Sequence, residues 1–257
     1  VAASRCRLPP PEESRRVELV EIAIVLHVFL LVYWLGGDLG TFYSSRYVMK
    51  PDLGLEARST ALKIMSFCDV FPRICLVLFL PSGITLLALG PYSGGYLATW
   101  MLVPVWIFGL AWLWMVVTEY RSHGAASPRI VWIRRLDLWI RYAVIAGTVG
   151  LGLAIMLGGD TVASRLSGLD VTSNPRWLGL KVAMYGTAIF CGVMIRRDLR
   201  PFGPSWVALV TGGTSTPQIE AGIGGAIERS EKWVYVIWVC VIGAAVLGLV
   251  KPGATGY

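Results

Sequence analysis

Residues 97–118 read LATWMLVPVWIFGLAWLWMVVT, 22 positions without an Asp, Glu, Lys or Arg and with Trp100, Trp106, Trp112 and Trp114 among them. At 1.5 Å per residue, a helix of about 20 apolar residues crosses a ~30 Å hydrocarbon core. Five further apolar runs lie at about 19–37, 61–90, 136–158, 177–195 and 233–250. The first can continue as helix through Phe42-Tyr43; the second is cleanest at 74–90 and holds Pro72 and Pro81. All are too long and too continuous for barrel strands of ~10 alternating residues. The expected architecture is therefore an all-α polytopic membrane protein, a six-transmembrane-helix bundle. Residues 1–18 form an N-terminal tail, 19–250 one transmembrane domain and 251–257 a C-terminal tail.

Composition points the same way. Of 257 residues, 55% are hydrophobic and 15% charged, with a mean hydropathy of +0.63; soluble domains carry about 25% charged residues. A soluble globular enzyme, a disordered chain and a single anchor bearing a large soluble domain are all excluded. The net charge is +7, from 23 Lys and Arg against 16 Asp and Glu. In a polytopic chain such an excess reads as loop charge and not as a nucleic-acid surface. The five cysteines (Cys6, Cys68, Cys75, Cys191, Cys240) form no CxxC or Cys/His cluster, so they read as small hydrophobes.

No cleavable signal peptide is evident; the first apolar run is long and lacks a small-residue cleavage site. The loops at 38–60, 119–135 and 196–232 hold 12 Lys and Arg, against seven in the remaining tails and loops. The positive-inside rule then puts those three loops in the cytoplasm and both termini outside a bacterial inner membrane, although the basic N-terminal tail argues against it. Trp100, Trp132, Trp177 and Trp233 fall near span ends, where indole rings favour the headgroup level. Ala146, Gly150 and Ala154 repeat every four residues, as do Ala244 and Gly248, and such small-residue stripes allow helices to approach closely. The segment 201–228 is rich in Gly, Ser and Thr and reads as a loop. Its Gly222–Gly225 stretch lacks the Lys-Ser/Thr of a P-loop.

Ionisable groups inside spans are expensive, about 2.5–3.5 kcal/mol on insertion scales, so each needs a partner or a purpose. His27 lies roughly 12 Å inside the first span, with Leu31, Trp34 and Asp38 on its helical face. Its imidazole is either a helix-packing group or an axial ligand for haem iron. Lys181 sits roughly 7–8 Å inside the fifth span, a depth within a lysine stem's reach of His27. It either snorkels to the outer headgroups, ligates as the neutral amine, or pairs with a propionate. Asp69 and Arg73 are spaced i, i+4 beside Pro72, as a structural pair or as a proton-relay or anion site. Asp137 and Arg141 repeat that spacing and read as a boundary ion pair. Asp38 reads as the point where the first span leaves the membrane. The other histidine, His123, reads as a solvated loop residue, which disfavours bis-histidine ligation.

The pattern His27-x6-Trp34-x-Gly36-Gly37-x4-Phe42-Tyr43-x2-Arg46, followed later by Trp177-Leu178-x-x-Lys181, resembles the superfamily of HemJ-type protoporphyrinogen oxidases and the membrane domain of copper-resistance protein D. The resemblance rests on about 30 residues. It implies that His27 and Lys181 are associated with a b-type haem, that Gly36 and Gly37 permit close backbone approach, and that Arg46 contributes a cytoplasmic-side contact. HemJ-type proteins have about four spans and carry their lysine on an earlier helix. The scattered methionines do not suggest a copper path. The implied work is electron transfer or porphyrin/quinone redox chemistry, as an oxidoreductase with a changed activity. Two rivals remain: a cofactor-free accessory subunit of a larger respiratory or photosynthetic membrane complex, and an ion or metal transporter using Asp69 and Arg73.

Overall fold

The computed structural model describes residues 11–90, 99–122, 124, 127–167, 176–212 and 214–252. They form seven α-helices: α1 (Pro11–Val48), α2 (Leu55–Leu89), α3 (Leu102–Arg121), α4 (Pro128–Ser167), α5 (Arg176–Asp198), α6 (Phe202–Gly212) and α7 (Pro217–Val250). A 3₁₀ turn at Thr99–Met101 leads into α3. Six segments are long and apolar enough to cross a membrane, with α5 and α6 together forming the fifth. The chain is a multi-pass, all-α membrane protein.

Each long helix packs on two others, in the circular order α1, α2, α3, α4, α5, α7 and back to α1. The α3–α4 and α1–α7 seams are the loosest, so the ring consists of two three-helix halves. In one half, Gly37 lies against Pro72 and the carbonyl of Cys68, an oxygen that Pro72 deprives of its helical N–H partner. In the other, Gly152 of α4 and Gly179 of α5 face each other so closely that a methyl group on Gly152 would lie 2.5 Å from the Gly179 carbonyl. Much of the lining of the ring is apolar, with Leu30, Trp34, Val77, Trp112, Ile133 and Ile189 buried together. The outer surfaces carry exposed Ile22, Phe29, Val32 and Val239, as lipid contact requires.

Several expectations are corrected. The small-residue stripe of α4 is not Ala146–Gly150–Ala154: Ala146 and Gly150 are exposed, Gly150 has open space around it, and α5 packs instead on Thr148, Gly152 and Ile155. The expected 119–135 loop shrinks because α4 starts at Pro128. Ser127 caps it, its Oγ accepting from the Ile130 N–H at 3.5 Å, and proline suits the first helical position. The expected 201–228 loop is α6 plus the opening turns of α7. Thr216 caps α7, accepting from Ile219 N–H at 3.4 Å. Val48, Leu209, Ile223 and Ile227 then bury one another, and this packing overrides the poor helix propensity of glycine.

Arg58, only 2% exposed, fastens that end. Its Nε donates to the Val48 carbonyl at 2.9 Å, and its two terminal nitrogens donate to both oxygens of Glu220 at 2.8 Å. One guanidinium thereby ties the C-terminus of α1 to α2 and α7 through a two-point fork. Among the tryptophans expected at span ends, Trp100 and Trp132 are 70% and 61% exposed, as anchors should be, whereas Trp177 is buried. The Trp233 N–H donates to Asp198 at 2.9 Å. Cys75, Cys191 and Cys240 are buried free thiols and Cys68 is half-buried; Cys6 and His123 lie outside the described residues.

Candidate functional site in the ring interior

Two polar levels lie inside the ring. The first is built from α1, α2 and α5. His27 faces α2, where its Nδ1 is 2.9 Å from the Ser82 Oγ and its ring meets Phe79 edge-on at 4.6 Å. Gly83 leaves room beside the imidazole: a methyl group there would come within 3.6 Å of Cε1. Phe79 also packs edge-on against Trp34 at 5.4 Å, so one ring holds both α1 aromatic groups in place. Lys181 on α5 lays its amine over Gly248 of α7. The imidazole is thus held by Ser82 and Phe79 of α2, and the amine lies against Gly248 of α7.

The second level lies further toward the Arg46 end of α1 and is ionic. Asp137 on α4 is 1% exposed. It accepts from Trp112 Nε1 of α3 at 2.8 Å, from Arg141 Nε of its own helix at 2.8 Å and from Arg196 Nη1 of α5 at 2.8 Å. Arg196 reaches on to Glu119 of α3 at 3.4 Å, which Arg134 of α4 also pairs at 3.4 Å. The Arg141 guanidinium lies 5.7 Å from the centre of the Trp112 ring. One carboxylate therefore binds three helices, including the loose α3–α4 seam that apolar contact closes only weakly.

The pair Asp137/Arg141 is ion-paired, as its spacing suggests, and buried within the bundle. Both side chains are buried beside Trp112, which lies near the middle of α3. Spacing alone cannot tell a rim from an interior. A usable signal was present in the requirement of a buried indole N–H for an acceptor. Sequence reasoning also passed over Ser82, Trp112, Glu119, Arg196 and Tyr185. Tyr185 donates from α5 to the Leu76 carbonyl of α2 at 2.7 Å, bridging opposite halves of the ring.

Asp38 lies within α1, which continues to Val48. Its Oδ2 accepts from Trp34 Nε1 at 3.0 Å. Trp238 of α7 turns its buried indole N–H toward the same carboxylate without completing a hydrogen bond. Asp69 and Arg73 are ion-paired on α2. Of the two adjacent glycines only Gly37 makes a close approach; Gly36 is exposed, with nothing near it. Arg46 is engaged by Glu231 of α7 at 3.0 Å and lies over Phe42 at 4.7 Å, so it ties α1 to α7.

No family model, curated protein or solved structure matches this chain. Among the described residues, no group of three or more His, Cys, Asp or Glu side chains is placed to hold a metal ion.

Proposed function

We propose that this multi-pass protein holds a b-type haem or a related porphyrin against His27 and serves electron transfer or porphyrin/quinone redox chemistry. The observation that carries this reading is the Nδ1–Ser82 contact at 2.9 Å. A hydrogen bond at one ring nitrogen orients an imidazole and leaves Nε2 as the metal-binding atom. His27 would hold the iron through Nε2, and Lys181 would serve as second ligand or propionate contact. Trp34 and Phe79 would supply the apolar wall, and Gly83 the clearance beside the ring. The haem would supply one-electron chemistry, while the helices supply ligation, burial and orientation.

The test is an absorption spectrum of the detergent-solubilised full chain, oxidised and dithionite-reduced. The reading expects a Soret band that His27→Ala removes and that Lys181→Ala shifts. Absence of the band from protein expressed with ample haem would refute it. On the same reading, the basic ends of the helices face the cytoplasm of a bacterial inner membrane, with both termini outside. Labelling of single cysteines placed at Leu53 and Pro252 by an impermeant reagent would test that orientation.

A second reading is supported by the Asp69–Arg73 ion pair on the membrane-spanning helix α2. Ionisable side chains within a span suit a proton or cation path. Cation flux into proteoliposomes, abolished by Asp69→Asn, would favour transport over redox work.

A further inference from the structure

The ionic level contains an imbalance that the haem reading does not use. Arg134, Glu119, Arg196, Asp137 and Arg141 form one continuous chain of ion pairs, with three cations to two anions. The neighbouring Arg73–Asp69 pair is neutral in itself. The surplus has a definite location: Arg141 is 2% exposed, its Nε is spent on Asp137, and its Nη2 is buried with no hydrogen-bond partner. An unmatched guanidinium N–H in such surroundings costs more than almost any other polar group. The chain also reaches the surface, because Arg134 and Arg196 keep 35% and 27% of their side chains exposed.

We infer that this cluster is a binding site for a small monocarboxylate, which enters past Arg134 and Arg196 and accepts from Arg141 Nη2 deep between α3, α4 and α5. A single negative charge neutralises the chain, and planar guanidinium groups match carboxylate oxygens in geometry as well as in charge. The half-exposed arginines at the mouth make a water-borne acid the occupant and not a lipid acyl chain.

The test follows thermal unfolding of the full-length protein in detergent, titrated with sodium acetate or with sodium chloride at equal ionic strength. A ligand that binds only the folded state raises the midpoint as its concentration passes Kd. Acetate should raise it saturably, and chloride should raise it less. Arg141→Lys keeps the charge but lacks the second fork nitrogen, so acetate should half-saturate at roughly tenfold higher concentration. Glu119→Gln increases the surplus from one charge to two and should lower the half-saturation point roughly tenfold. Misfolding cannot imitate that gain. Equal shifts with acetate and chloride, or a Glu119→Gln protein with no gain in acetate affinity, would overturn the assignment.

Discussion

At the Asp137 level one carboxylate is shared by α3, α4 and α5, whereas at the His27 level a histidine has one hydroxyl partner and a lysine lies over a glycine. Both levels put ionisable groups where hydrocarbon is expected, yet they invest them differently. The Asp137 network is dense and holds helices together across a seam that apolar packing leaves loose. The His27 level is sparse, its groups are able to be neutral, and glycine replaces side chains around them. The first is architecture with one donor to spare, and the second is an interior surface on which a ligand would do the remaining work.

That contrast is broken most directly by removing the central group of each level. Asp137→Ala leaves Arg141 and Arg196 buried without their carboxylate, a loss of about 3–5 kcal/mol for breaking a buried pair. His27→Ala loses one modest hydrogen bond and an edge contact with Phe79, about 1–2 kcal/mol. Denaturant titration in mixed micelles should therefore find Asp137→Ala largely unfolded and His27→Ala close to wild type. Equal losses would mean that His27 is as structural as Asp137.

The second test compares glycines one helical turn or less apart on α4. Gly152→Ala drives a methyl group into the Gly179 carbonyl, and overpacking of this kind costs typically about 1–3 kcal/mol. Gly150→Ala meets open space and should stay within about 0.5 kcal/mol, or gain slightly from better helix propensity. The same denaturant titration separates them. A reversed order would restore the Ala146–Gly150–Ala154 stripe as the packing face and detach α5 from its present register.

What the amino-acid sequence discloses follows from how local the deciding physics is. The six spans were legible because insertion depends on a contiguous run of apolar residues, and Leu97–Thr118 needs no partner to declare itself. The face of each helix was not legible. Ala146/Gly150/Ala154 and Thr148/Gly152/Ile155 are equally regular, and only the position of α5 chooses between them. Residues 201–228 read as loop from their Gly and Ser content, but Ile223 and Ile227 pack on Val48 and Leu209, residues too distant in sequence for a local pattern to show. An approximate depth for His27 and for Lys181 could be counted from span entries. Their immediate partners, Ser82 and Gly248, could not, since nothing marks a serine beside Pro81 as facing another helix.

The smallest effect on stability is the most informative for the His27 level. Ser82→Ala removes the hydroxyl at Nδ1 and also the bond that Ser82 makes to the Phe79 carbonyl at 3.3 Å. The neighbouring Thr85–Pro81 contact at 2.7 Å remains, so α2 keeps its shape and the cost should be about 1 kcal/mol or less. If Ser82 only buries a histidine, that small loss is its whole consequence, and any chromophore is unaffected. If it orients Nε2 toward a metal, the alanine variant should bind haem roughly 10–100-fold more weakly, as outer partners of ligating histidines do. Its Soret band should fade on haem dilution while the unfolding midpoint of the apoprotein barely moves. A variant that loses stability and haem in the same proportion would make Ser82 a packing residue. One that loses haem alone would show that the imidazole is aimed by design of the α1–α2 contact, which the Asp137 network has no means to do.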